Sequence, residues 1–393
     1  MASPYKQIFK APGALGFSFA GFIARMPNSM VFISLTLMLS SLGYSYSRAS
    51  YITASYVIAS ALISPQTARL ADKYGQRLIV TVCTSVSIVS LTSLLIGSYL
   101  KLPIQLLILM AIIGGGSPNF GALVRTRWSR LYSRSKYIRS AFAFESILDE
   151  IIFMIGPIIA IAATTNIAPQ AGAITAIAFL TVGSVSFVMQ KKTEPKVTKK
   201  NRSKGKSVLY HPQIILLTII LFVFGIIYGA AELSAIAFCK SINKVEYSAI
   251  PLTLYALASF ISGFAYGSKN HISISLPLQL LLSIALSALA SIPFFYIKDI
   301  NSLCFALFCS GATCAPTLII ASALVESIIP EKQLTEGISW VMTGLNLGVS
   351  FGYALTSPLI DQYGADAGFV VAIIAGLSSI IVTIATYKKF ITK

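Results

Sequence analysis

A chain of 393 residues with 55% hydrophobic and only 11% charged residues, at a mean hydropathy of +0.79, cannot be a soluble domain, which carries about 25% charged residues. The formal net charge of +17 raises nucleic acid as a partner. Its cations, however, gather in short segments between long apolar runs, which is a membrane pattern and excludes that reading.

Apolar runs of membrane-spanning length recur along the whole chain, since a bilayer core of about 30 Å needs roughly 20 residues of helix. Twelve spans are predicted, at 13–41, 49–68, 77–99, 102–124, 140–163, 170–189, 213–238, 248–267, 273–297, 301–324, 336–359 and 366–386, with no soluble domain between them. The first run is too long for the apolar region of a signal peptide, about 7–15 residues, and is expected to be a retained helix. It carries Arg25, followed by Pro27, which removes a backbone donor and should kink the helix. Span four contains Gly114, Gly115 and Gly116 and ends in Arg125, Arg127 and Arg130.

Span five holds the stretch FESILDEIIFMIGP, with three carboxylates, Glu145, Asp149 and Glu150, ahead of Gly156 and Pro157. If this span starts near Ser140, Glu145 lies roughly 8 Å deep and the other two roughly 14–15 Å deep. Glu145, Asp149 and Gly156 share one stripe of the helix, while Glu150 points about 100° away on the stripe of Pro157. An ionised acid at the centre of a membrane helix costs about 2.5–3.5 kcal/mol, so these groups face a bundle interior or wet cavity, pair with cations, or hold protons. Depth alone pairs Glu145 with the arginines ending span four, and Asp149 or Glu150 with Arg25. One deep acid is then left without a cation and is a candidate to exchange a proton, Asp149 first and Glu150 second. The alternative is that all three acids only lock helices together.

Lys191–Ser207 is polar and strongly basic and reads as a solvated linker. It divides the chain into residues 1–190, a linker at 191–212, and residues 213–393. The fold expected is all-α and integral to the membrane, with twelve transmembrane helices in two pseudo-symmetric six-helix bundles of like orientation. The halves echo one another faintly: each has a Pro in its fourth helix and a Glu early in its fifth. Span seven contributes one acid, Glu232, placed to line a cavity or cap an outer gate. Glu336 starts span eleven, where a carboxylate suits a helix N-terminus. Glycines four apart, Gly263 and Gly267, then Gly344, Gly348 and Gly352, allow close helix approach.

With a cytoplasmic N-terminus, 24 of the 30 Lys and Arg residues fall in inside segments and five in outside loops. Such a bias places both termini in the cytoplasm of a multi-pass plasma (inner) membrane protein. Cys304, Cys309 and Cys314 share no helical face, Cys83 and Cys239 stand alone, and His211 and His271 have no ligand partners in sequence. No metal site and no cofactor are expected.

The segment ARLADKYGQR, Ala68 to Arg77, lies between spans two and three. It resembles the cytoplasmic loop signature of the major facilitator superfamily, Gly-x-Leu-Ala-Asp-Arg-x-Gly-Arg-Arg, matching at Leu70, Ala71, Asp72, Gly75 and Arg77. Ala68 stands where the signature has Gly, Lys73 replaces Arg, and Gln76 removes a charge. ESILDEIIFMIGP looks like the fifth helix of a bacterial branch of that family. The resemblance covers the whole chain and implies that Asp72, with Gly75 and Arg77, helps hold the cytoplasmic side closed. The family's drug–proton antiporters carry an Arg in the fourth span and two glycines after the Gly-Pro pair. Here no cation precedes Arg125, and Ala160 and Ile161 follow, so the resemblance does not itself assign export.

The expected function is secondary active transport of a small molecule by alternating access, coupled to protons and directed outward, with the lipid bilayer as surroundings and a monomer as the working unit. Net acidity within the membrane favours an amphipathic or cationic substrate. A nutrient or metabolite importer of the same fold is the alternative, with Arg25 available to a carboxylate. A non-transporting receptor or assembly factor is the reading from another class. No phosphate-binding loop, His-Glu-x-x-His or Gly-x-Ser-x-Gly occurs, so neither ATP-driven transport nor an enzyme is expected.

Overall fold

The computed structural model describes residues 4–44, 46–132, 135, 137–195, 207–242, 249–268 and 274–391. The basic middle of the linker (196–206), Arg134, Lys136, Lys269 and His271 lie outside these residues.

Among the described residues the regular structure is helical throughout. In chain order the helices are α1 (Pro4–Ile8), α2 (Ala14–Arg25), α3 (Pro27–Ser41), α4 (Tyr46–Tyr74), α5 (Gln76–Tyr99), α6 (Ile104–Gly114), α7 (Phe120–Tyr132), α8 (Ile138–Asn166) and α9 (Ala171–Met189). After the linker come α10 (Pro212–Ser241), α11 (Ala249–Ser268), α12 (Leu276–Ala290), α13 (Ile300–Gly311), α14 (Cys314–Ile328), α15 (Leu334–Tyr363) and α16 (Ala365–Ile391). Among the described residues ten helical stretches, with α2–α3 and α13–α14 each taken as one, are long and apolar enough to cross a membrane. The other two expected spans fall short, one on hydropathy and one on length. α4 is rich in Ser, Thr and Tyr. α6 is only 11 residues long, and its continuation α7 carries Arg125, Arg127 and Arg130.

Apolar side chains left uncovered form stripes. Val82, Val86 and Val89 on α5, and Ile374, Leu377, Ile381 and Ile384 on α16, are all about half or more exposed. Stripes at this spacing on a helix whose other face is packed are surfaces for lipid.

Among the described residues, span four is broken, and spans one and ten are interrupted over one or two residues. In span one α2 and α3 meet at Met26, whose own backbone stays helical at φ -48° and ψ -41°, just ahead of Pro27, which supplies no N–H. Span four breaks between Gly114 and Phe120, where the Asn119 side chain accepts the Ala122 N–H and caps the new helix. Span ten is interrupted at Ala312–Thr313, both near helical angles, with Pro316 three residues past Thr313 in the first turn of α14. The segment expected as the loop between spans two and three is mostly helix: α4 runs through Asp72 to Tyr74, and α5 starts at Gln76. Gly75 alone makes the turn, at φ 100° and ψ 145°, a conformation that side chains with a Cβ rarely adopt.

The glycines predicted for close packing do that work between α10 and α15. A Cβ on Gly344, Gly348 or Gly352 would collide with the α10 backbone at Thr218, Phe222 or Ile226. From the opposite side, Gly225 and Gly229 face the α15 backbone at Leu345 and Val349. Before the linker, Gly183 of α9 lies against the Ala24 backbone of α2, and Gly156 of α8 makes room for Ser29 of α3. Ser29 Oγ then donates to the Ile152 carbonyl at 2.9 Å.

Residues before and after the linker meet through α4 with α15, α8 with α11 and α14, and α7 with α15. Polar contacts across that boundary include Ser64–Ser339 at 3.2 Å, Thr126–Thr335 at 2.9 Å and Ser140 Oγ to the Gly267 carbonyl at 2.7 Å. These lie on the side of the molecule where α4 ends and α15 begins.

Candidate functional site

The broken ends position the first cluster. Arg25, the last residue of α2, is 1% exposed, and its Nε donates to the Gly21 carbonyl one turn back. Side chains on a helix lean toward its N-terminus, so Arg25 folds back along α2 and reaches Glu145 as well as Asp149. Its Nη2 lies 2.5 Å from Glu145 Oε2, and its Nη1 lies 2.7 Å from Asp149 Oδ1. Gly121 on α7 leaves room for the Arg125 guanidinium, whose Nη1 would lie 3.1 Å from a Cβ there. Arg125 leans the same way along α7, with Nη1 on the Gly121 carbonyl, and its Nη2 reaches Asp149 Oδ2 at 2.9 Å.

This geometry redistributes the pairing expected from depth. Arg125 holds Asp149 rather than Glu145, while Arg25 holds both acids. Arg127 is directed elsewhere: its Nε meets Gln76 Oε1 at 2.8 Å, its Nη1 meets Thr193 Oγ1 at 3.0 Å, and its guanidinium stacks 3.8 Å from the Phe187 ring.

Glu145 is fully enclosed and saturated with donors. Besides Arg25 it accepts from Ser18 Oγ at 2.5 Å and from the Trp128 indole N–H at 2.7 Å. Trp128 is itself completely buried and packs edge-on against Phe17, ring centres 4.8 Å apart. A buried carboxyl held by three donors is locked in position as part of the packing. Asp149, by contrast, keeps its side chain 32% exposed. It joins two arginines on one side and open space on the other.

Glu150 points away from both arginines, as its stripe requires. It crosses to the helices after the linker, where Ser259 Oγ of α11 donates to its Oε1 at 2.6 Å. Ser259 Oγ in turn accepts the Ala315 N–H in the first turn of α14 at 3.2 Å. Cys314, next to Ala315 at the start of α14, lies close to Ser259 and Tyr255. The Tyr255 and Tyr228 rings pack 4.8 Å apart. Glu232, four residues after Tyr228 on α10, accepts the Tyr353 hydroxyl of α15 at 2.6 Å. Among the described residues neither Glu150 nor Glu232 forms an ion pair.

A second cluster lies at the start of α15. The backbone N–H of Glu336 donates to Asp72 Oδ2 at 2.9 Å, and Thr335 also donates to Asp72. An acid from α4 thus caps the positive end of α15. Glu336 is 3% exposed. Its Oε1 accepts from Ser207 Oγ at 2.5 Å and from the Val208 N–H at 3.2 Å, which ties the end of the linker to the same helix terminus. Arg69 Nε lies 3.8 Å from Glu336 Oε2. The Arg77 N–H is taken by Glu194 Oε1 at 2.8 Å, so the start of the linker caps α5.

Gly156 and Pro157 lie within an unbroken α8, with Gly156 at the α3 contact. Sequence reasoning missed Ser18, Trp128, Ser259, Tyr228 and Tyr353 as partners, and it left Arg125 at a membrane edge. Hydroxyl and indole donors carry no pattern that would single them out. For Arg125 the signal was available in the direction in which side chains lean.

The model of the Major Facilitator Superfamily matches residues 17–269 and 245–389. No curated protein matches the chain. Solved structures with the same fold include a bacterial homologue of the iron transporter ferroportin in an outward-facing state, with TM-score 0.74, 13% identity and coverage of 96% of this chain and 99% of that one. The same homologue with soaked iron gives TM-score 0.72, 13% identity, and coverage of 97% and 99%. The human organic anion transporter MFSD10 (TETRAN) gives TM-score 0.68, 13% identity, and coverage of 94% and 97%. With the family match running over nearly the whole length, this chain belongs to the major facilitator superfamily of membrane transporters.

Proposed function

We propose that the protein is a secondary active transporter that moves a small molecule by alternating access, is coupled to protons, and works in the direction of export. The observation that carries the coupling is Glu150. It is a carboxyl near the middle of α8, bonded across the boundary to the Ser259 hydroxyl and without a cation among the described residues. A proton on Glu150 needs no salt bridge to be broken, whereas a proton on Asp149 competes with Arg25 and Arg125. Glu150 is therefore the leading proton carrier in this reading, and Asp149 is second.

Twelve crossings are counted by adding α4 and α6–α7 to the ten apolar stretches, in two six-helix bundles before and after the linker. The chain is assigned to the plasma membrane as a monomer with both termini and the linker in the cytoplasm. The Asp72–α15 cap, Ser64–Ser339, Thr126–Thr335 and Ser140–Gly267 contacts then close the cytoplasmic side, which corresponds to an outward-facing arrangement. Export is favoured over import because the importer alternative needs an arginine free to bind a carboxylate, and Arg25 and Arg125 are both engaged by acids.

Proteoliposomes carrying the purified protein test this reading. A panel of drugs and metabolites should reveal saturable flux that follows an imposed pH gradient. Glu150→Gln should still exchange that substrate down its own gradient but fail to accumulate it. Uphill accumulation by Glu150→Gln with unchanged dependence on the pH gradient would exclude Glu150 as the coupling group.

A further inference from the structure

Among the described residues, the acids of α8 and α10 are not all answered by cations. Two arginines answer Glu145 and Asp149. Glu150 and Glu232 remain, each bonded to a neutral hydroxyl, Ser259 or Tyr353. They belong to different sides of the boundary, on α8 and α10, yet Tyr228 lies within electrostatic reach of both. Around them stand three tyrosines from three helices. Tyr228 precedes Glu232 by one turn of α10, Tyr255 of α11 packs its ring 4.8 Å from that of Tyr228, and Tyr353 of α15 bonds Glu232. Tyr228, Glu150, Glu232 and Tyr353 are all half-buried, so each keeps an open side, while Tyr255 backs them at 6% exposure.

When their protons have left, two carboxylates without cationic partners in a low-dielectric wall repel an anion and attract a cation. Aromatic faces add attraction for cations that are weakly hydrated. No group of three or more His, Cys, Asp or Glu able to hold a metal occurs among the described residues. Two acids with tyrosine walls lack the ligand set of a metal cage and suit a single diffuse charge on an apolar body.

We propose that Glu150 and Glu232, with Tyr228, Tyr255 and Tyr353, form a subsite for a monovalent organic cation of amphipathic shape. The inference rests on the transporter reading above and names its substrate class. The cation sits between the two bundles and draws Glu150 away from Ser259, so the substrate and the bond that holds the bundles together compete for one carboxylate.

The test uses two probes of the same shape and opposite charge, tetraphenylphosphonium and tetraphenylborate, with binding to the purified protein in detergent read by equilibrium dialysis. Neither probe titrates, so any charge preference belongs to the protein. Phosphonium should bind at least about tenfold more tightly than borate, and Glu150→Gln or Glu232→Gln should each weaken phosphonium binding by about tenfold or more. If a Gln variant does not elute as a folded monomer, the charge-conserving Glu232→Asp should retain the preference for phosphonium. Equal or tighter binding of borate, or Gln variants that bind phosphonium like wild type, overturns the subsite. Gradient-driven flux of an anion or neutral compound, with no phosphonium preference, sinks the subsite and leaves the transporter reading intact. Charge-selective binding without gradient-driven flux of any panel compound does the reverse.

Discussion

Glu145 and Glu150 are five residues apart on one helix, both acids, and a neutral substitution should separate them sharply. Glu145→Gln removes the charge that faces Arg25 at 2.5 Å inside a fully enclosed pocket. It also presents an amide N–H₂ to a site already crowded with the Ser18, Trp128 and Arg25 donors. Removing one member of a buried ion pair costs about 3–5 kcal/mol. The lower end applies here because Arg25 retains Asp149 at 2.7 Å. At about 2 °C per kcal/mol for a chain of this size, a loss of about 3 kcal/mol lowers the apparent melting temperature by about 6 °C. Glu150→Gln leaves no cation bereft, and the amide oxygen still accepts the 2.6 Å bond from Ser259. Its effect should stay within about 1 kcal/mol, or about 2 °C, in either direction. Scanning fluorimetry of both variants in one detergent, without substrate, reads the difference directly. Equal falls for the two variants, or a larger fall for Glu150→Gln, would refute the division of this helix into a locked acid and a free one.

Asp72→Asn keeps one acceptor for the Glu336 N–H but replaces the second carboxyl oxygen by an amide N–H₂, which cannot accept from the α15 terminus. Losing a hydrogen bond at this cap costs about 1 kcal/mol, so the closed side should open more readily, transport should slow, and substrate affinity should hold within severalfold. Loss of binding by the folded variant counts against a purely conformational role. Gly348→Ala drives a Cβ into the Phe222 carbonyl and should destabilise the protein by about 1–3 kcal/mol, whereas Ser350→Ala on the exposed face of the same helix should not. Single cysteines placed in the Lys191–Ser207 linker of a Cys-free variant should resist impermeant thiol reagents in intact cells, and ready labelling there would reverse the assigned topology.

That the chain is helical and crosses a membrane many times was legible in the sequence because a bilayer imposes its own arithmetic. Apolar runs of fixed length, a basic linker midway and glycines at four-residue spacing each express one local constraint, and α10 against α15 shows the last of these in contact. The helical register of FESILDEIIFMIGP likewise separated Glu150 from the stripe of Glu145 and Asp149 without any coordinates. What register cannot supply is the third dimension. Depth measured along a helix treats a side chain as if it lay level with its own Cα. Arg25 and Arg125 instead lean back along α2 and α7, which run in opposite directions, and they converge on Asp149 from above and below. The partners of Glu150 and Glu232 come from helices about a hundred residues or more away in the chain, and they are hydroxyls, which sequence offers in abundance and without distinction. Which acids are answered by a cation, and which are bonded only to hydroxyls, was decided only when those helices packed.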